Sequence, residues 1–336
     1  MASTDREALV ALFRSTGGAG WEQRRNWDTD ADLATWYGVK VNDQGRVVKL
    51  HLWRNNLQGA IPAQLGALNK LTWLALSGNQ LSGHIPEELG ALSKLGVLEL
   101  QNNELTGHMP PELGNLSTLR KLFIYENQLS GPIPKELGSL SKLKKLCLYI
   151  NKLTGPIPKQ LGALTKLQIL CLHGNALTGP IPPELGNLAS LQILYLQHNL
   201  LSGSIPPELG DLRELQELWL NQNQLTGPIP PELGNLAALE MLFFWGNGLT
   251  DPIPAELGNL AALKVLSLSG NQLRGSIPPK LGNLGALETL ALGGNELTGS
   301  IPKELGNLGA LRNLELGNNT ERTHSIWRRG KKLTGE

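Results

Sequence analysis

Leucine recurs along most of this chain at a fixed interval. Residues 215–238 show the unit: Leu215-x-x-Leu218-x-Leu220-x-x-Asn223-x-Leu225, then Gly227-Pro228-Ile229-Pro230-Pro231-Glu232-Leu233-Gly234. The same spacing returns every 24 residues from Val47 through Leu311. Leu218 and Leu220 alternate with Glu217, Trp219 and Asn221, and period-2 alternation predicts one strand with leucines inward and variable residues outward. An Asn holds the Asn223 column in all twelve units, from Asn55 to Asn319. A buried amide persists only when hydrogen-bonded, so each Asn is expected to serve backbone groups where the strand turns. Gly227 suits a bend with unusual backbone angles, and the prolines favour extended or helix-starting backbone that needs no N–H. Glu232 then falls early in a short helical turn, on what reads as a solvated outer face.

Periodicity at this length marks a stacked repeat array and overrides the two-domain expectation that 336 residues would otherwise carry. The 39 Gly and 21 Pro are therefore mostly repeat punctuation, with every Pro in one of three columns between residues 62 and 302. The unit resembles the plant-specific subclass of leucine-rich repeats, with L-x-x-L-x-L-x-x-N-x-L-[S/T]-G-x-I-P-x-x-L-G-x-L matched over residues 47–319 as eleven full repeats and a twelfth strand. The resemblance implies a leucine-rich-repeat solenoid, a right-handed horseshoe with a parallel sheet lining its concave side. Departures are few: Met109 for Ile, Ile124 and Phe244 for Leu, and Asp251 for the turn Gly, where a local backbone adjustment is expected.

Residues 1–46 follow a different pattern. Thr4 or Asp5 is placed to cap a helix running to about Ser15, with Ala8, Leu9, Leu12 and Phe13 on one face. Trp21, Trp27 and Trp36 follow, and three tryptophans in so short a segment suggest the lid a solenoid needs over its first repeat. The segment is similar to the N-terminal caps of plant and protist leucine-rich-repeat proteins. Ala34 and Val41 occupy the columns where secreted plant members carry cap cysteines. The chain opens Met1-Ala2-Ser3-Thr4-Asp5-Arg6-Glu7 without a basic region leading into an apolar one. Together these features predict a cytoplasmic protein, or an extracellular one whose signal has been removed. The repeat pattern fails after Asn319, and residues 320–336 carry five basic and two acidic residues and Trp327, which reads as an irregular basic tail or C-terminal cap.

Lys plus Arg number 30 against 29 Asp plus Glu, a net charge of +1 that gives no reason to bind nucleic acid. No apolar run reaches membrane-spanning length, so membrane insertion is not expected. No nucleophile, base and oxyanion donor can be grouped, and no phosphate loop or metal set is visible, so neither enzyme nor cofactor is expected. Cys147 and Cys171 stand one repeat apart on an outward column with His173 two residues on; a zinc site would need about four ligands, only His198 offers itself as the fourth, and no metal is expected. A disulfide between in-register parallel strands would be strained, which leaves two free thiols as the expectation.

Candidate chemistry lies at the outward strand positions. The repeats hold ten aromatic residues, and nine of them fall on those positions: Trp53, Trp73, Phe123, Tyr125, Tyr149, Tyr195, Trp219, Phe243 and Trp245, with only Phe244 inward. Strands stack at ~4.8 Å, so the residues from Phe123 to Trp245, with Met241, would form one apolar band about 24 Å wide. An apolar patch of that size normally marks an interaction site, and Trp and Tyr are frequent binding hot spots. Lys121, Lys145, His173 and His198 flank it, and the two lysines, on neighbouring strands, could clamp an anionic group. Ser267, Ser269, Ala291 and Gly293 end the band near the ninth repeat. The expectation is a non-catalytic module, monomeric, that binds a protein or peptide on the concave face, in signalling or immune-type recognition. Self-association through the band and carbohydrate binding are the alternatives.

Overall fold

The structure is a computed structural model that describes residues 2–320. The tail read at 320–336, Trp327 included, lies outside the described residues apart from Thr320. The chain divides into two compact units, one up to Ala176 and one from Leu177.

The first unit opens with the helix Ala2–Ser15. It begins before the expected Thr4/Asp5 cap, because Asp5 has other work. Its carboxylate is fully buried and accepts from Arg46 Nε at 2.9 Å, Arg46 Nη2 at 2.8 Å and the Val47 N–H at 2.8 Å. The helix is thereby clasped to the first repeat strand, Val47–His51. Behind the clasp, Trp21, Trp27 and Trp36 are buried against one another and against Phe13, with ring centroids 4.7–6.1 Å apart. The three tryptophans that the sequence groups together are thus packed as one buried cluster.

Val39–Val41 pairs antiparallel with Val47–His51 at the edge of the sheet. The following strands then pair in parallel, each in register with the residue 24 further on: Trp73–Ala75, Val97–Glu99, Lys121–Phe123, Lys145–Cys147 and Ile169–Cys171. Inward leucines such as Leu98 and Leu146 have no exposure, while the residues beside them face out. The second unit repeats the plan with Ile193–Tyr195, Glu217–Trp219, Met241–Phe243, Val265–Ser267, Thr289–Ala291 and Asn313–Glu315. Phe244 sits fully buried in an inward leucine position. Each unit is thus a solenoid of repeats. Parallel strands fill one side, and five-residue 3-10 turns entered through an extended Pro, such as Pro231–Asn235 after Pro230, form the other.

The Asn column does what its recurrence predicts. Asn271 Nδ2 donates to the carbonyls of Phe244 and Leu268 at 3.1 and 3.0 Å, and its Oδ1 accepts from the Leu249 N–H at 3.1 Å. One amide therefore ties its own strand end to the previous repeat. The Gly234 column has a cause unrelated to backbone angles: a Cβ there would lie 2.4 Å from the Glu256 carbonyl oxygen, so successive 3-10 turns can nest only over glycine. The backbone adjustment expected at Asp251 is absent. Asp251 takes φ 65°, in the same left-handed region as Gly227 at 76°, since Asp tolerates that region better than most residues.

Candidate ligand-binding face

The strand face is built by the outward residues, whose direction follows from the pleat. In the first unit, Phe123 lies 6.2 Å from Tyr125, Tyr125 stacks on Tyr149 at 4.2 Å and 9°, and Tyr149 stacks on His173 at 4.4 Å and 10°. In-register parallel strands place each ring over the next, which explains the near-parallel planes. Burial pushes the phenols of Tyr125 and Tyr149 above their ordinary range, so both keep their protons and remain hydrogen-bond donors. Lys121 and Lys145 are register partners on the same face, both half-buried. Trp73 stands apart from this row, edge-on to His51 at 4.7 Å with the Lys49 ammonium 5.4 Å from its ring. Trp53, 58% exposed beside Arg54, joins no other ring. Between them and the row lies Glu99, whose carboxyl is pushed up by burial against the pull of the neighbouring Trp73 N–H and of Lys121.

In the second unit Tyr195, Trp219 and Phe243 form a row of tilted rings at 4.8 and 4.6 Å. The Tyr195 hydroxyl donates to Glu217. His198 meets Trp245 edge-on at 6.4 Å, and Met241 pairs in register with Glu217 at the start of its strand. The rings of both rows are half-buried, because each is covered by its neighbours. Within each unit aromatic residues counted on the outward columns thus form a row of close-packed, half-buried rings.

A second property of this face is not legible in the residue types. His51 Nε2, Gln101 Oε1, Gln197 Oε1, Trp219 Nε1, Asn221 Oδ1 and Ser269 Oγ are shut off from solvent with no hydrogen-bond partner. His51 and Trp219 are the last residues of their strands, and the other four stand two residues past a strand end, all on outward columns. Gln197 and Asn221 are 5% and 3% exposed and occupy the same column of successive repeats. An unpaired buried polar atom costs about 1–3 kcal/mol, and native structures tolerate few. Ile150, at the rim beside Tyr149, adds a third property. It is 51% exposed and holds φ at 50°, an outlier for a β-branched side chain. All twelve members of that column hold positive φ, five glycines together with Asn102, Asn318, Arg54, Glu126, His198 and Gln222, and Ile150 is its one β-branched residue, which was the available sequence signal.

The comparisons with known proteins fit this architecture. A family model described as a leucine-rich repeat region matches residues 45–178 and 159–268, and a leucine-rich repeat model matches 262–284 and 286–308. No curated protein matches the chain. Among solved structures, the plant peptide hormone receptor RGFR1 in complex with RGF2 is 40% identical with a TM-score of 0.78, over 79% of this chain and 42% of that one. The leucine-rich-repeat ectodomain of the Arabidopsis receptor kinase HAESA, in complex with an extended IDA peptide hormone, is 34% identical with a TM-score of 0.79, over 94% and 54%. A plant ice-binding protein is 30% identical with a TM-score of 0.66, over 95% and 98%. The chain thus spans about half the length of the receptor chains it matches. The cytoplasmic placement expected from the cysteine-free cap gains no support here, since the HAESA relative is an ectodomain. Among the described residues no helix is long and apolar enough to cross a membrane. With matched repeats over two thirds of its length, the chain belongs to the leucine-rich repeat family.

Proposed function

We propose that this chain is a non-catalytic recognition module that holds an extended peptide on its strand face. The observation that carries the reading is the set of buried, unpartnered polar atoms among packed aromatic rings. A surface selected for stability alone would pair or replace those atoms, whereas a peptide backbone offers both the donors and the acceptors they lack. The relatives crystallised with RGF2 and IDA support the ligand class. In the first unit the Lys121–Lys145 pair would take a carboxylate beside Tyr125 and Tyr149, and in the second Trp219, Phe243 and Trp245 would take apolar side chains.

The test is selection from a displayed random-sequence peptide library. Enrichment is expected on the wild type and lost on the Trp219→Ala/Trp245→Ala variant, with circular dichroism showing the fold intact. Equal enrichment on both would remove the strand face as the site. Sedimentation at micromolar concentration checks the homodimer alternative, which a strict monomer eliminates. Glycan-array hits without peptide enrichment would move the ligand class to carbohydrate.

One further reading rests on the plant ice-binding protein, which is matched over nearly its whole length where the receptors are matched over half. Inhibition of ice recrystallisation by the wild type, undiminished in the double variant, would favour it.

A further inference from the structure

The chain has two cysteines, and the fold places both side by side on the strand face. Cys147 ends the strand Lys145–Cys147, Cys171 ends Ile169–Cys171, and the two strands pair in parallel with Cys147 opposite Cys171. Phe123 is the register partner of Cys147 on the other side. The thiols therefore continue a column that carries rings elsewhere, Phe123 in this unit and Trp219 with Phe243 in the other. Neither is in a disulfide, and they are 8% and 6% exposed.

We propose that Cys147 and Cys171 are a modification site: a dithiol that a hydroperoxide converts reversibly into a disulfide linking neighbouring strands of the ligand face. In-register parallel strands lie ~4.8 Å apart, within the range of roughly 4.4–6.8 Å between Cα atoms that a disulfide spans. The side chains project in parallel, so closure requires a small movement of the strands, and a bond made that way is easily reduced. Roles within the pair follow from the surroundings. The Cys171 thiol hydrogen-bonds to Cys147 and the Lys145 ammonium lies near, and these hold the Cys147 thiol below its ordinary range although burial pushes the other way. Cys147 is therefore the nucleophile and Cys171 the resolving thiol.

The chemistry closes in two steps. The Cys147 thiolate attacks the terminal peroxide oxygen, the O–O bond breaks, and the alkoxide or hydroxide released takes a proton to leave as alcohol or water. Cys147 is now a sulfenic acid. The Cys171 sulfur then attacks the Cys147 sulfur, the S–O bond breaks, and the departing hydroxide takes the Cys171 proton and leaves as water. Two thiols lose two electrons, and the peroxide gains them.

The test is intact-mass and peptide mapping of the reduced full chain after exposure to hydrogen peroxide. The wild type is expected to lose the mass of two hydrogens, to yield a Cys147–Cys171 cross-linked peptide, and to regain both thiols with dithiothreitol. Cys171→Ser should instead gain oxygen at Cys147, having no resolving thiol. Lys145→Gln should slow the wild-type reaction several-fold at neutral pH, because its thiolate fraction falls. Thermal melts of each variant confirm that it is folded. A wild type that gains oxygen, links only between molecules, or stays reduced where Cys171→Ser reacts would overturn the proposal.

Discussion

The N-terminal cap and the strand face both use tryptophan, and they treat the indole N–H differently. In the cap, Trp21 donates to the Thr16 carbonyl at 3.0 Å, Trp27 to Tyr37 at 2.9 Å and Trp36 to Ala31 at 3.1 Å. On the strand face Trp219 Nε1 is buried and has no partner, and Gln197 and Asn221 hold unpaired oxygens nearby in the sheet. Ring area stabilises both places. All three cap indoles complete their hydrogen bonds, while the strand face, where Trp73 bonds Glu99 and Tyr195 bonds Glu217, leaves Trp219 without one, and that difference separates a region built to close the core from one that keeps bonding capacity for a ligand.

If that contrast is right, polar substitutions in the structural elements should be severe. Asp5→Asn is expected to have the largest effect. It removes the charge that faces Arg46 in a nearly dry site, and breaking a buried pair from one side costs about 3–5 kcal/mol. Chemical denaturation measures it, and a loss below about 1 kcal/mol would show that the clasp does not hold the cap. Asn271→Ala comes next, since four bonds go at once and the buried Leu249 N–H loses its partner, while the Phe244, Leu268 and Ser269 carbonyls each keep another donor. A loss of about 3 kcal/mol is expected from the same measurement.

The array was fully legible in the sequence because its cause is local and repeated: the Leu218/Leu220 alternation fixes the inward face, and the Asn column has one consistent task. The cap was legible as a cluster of aromatics. Its clasp was not, because Asp5 and Arg46 meet only across 41 residues of separation, where a helix-capping motif is the simpler local explanation. The outward placement of the rings follows from the alternation, whereas the way Tyr125, Tyr149 and His173 stack on one another is not written in residue types. The unpaired atoms of Gln197 and Asn221 were invisible, as no residue type announces whether its partner is present.

On the strand face the sign should reverse. Asn221→Leu replaces a buried amide lacking one bond with an apolar side chain of similar size, so stability should rise by about 1 kcal/mol. Peptide enrichment should fall about tenfold, as for an interface residue of moderate weight. A variant less stable than the wild type would mean that Asn221 is satisfied within the free protein, and the contrast with the cap would vanish.

The smallest effects come from two residues that share a backbone conformation and differ in location. Ile150 and Asp251 both hold positive φ, at 50° and 65°. Replacing either with glycine removes the left-handed penalty and adds some unfolded-state entropy, which leaves a net gain of about 0.5–1 kcal/mol at Ile150 and a few tenths at Asp251, where Asp already tolerates the region. Ile150 borders the Tyr125–Tyr149–His173 row with half its side chain in solvent, so a strained apolar residue is kept where a ligand would cover it. Asp251 follows the two-residue strand Gly248–Leu249, away from the strand face, with Thr250 Oγ1 donating to its carboxylate at 3.1 Å. Ile150→Gly should therefore melt higher and enrich fewer peptides, while Asp251→Gly should melt slightly higher and enrich as many. Equal peptide enrichment by both variants would assign the strain at Ile150 to the fold and leave the ligand face no claim on it.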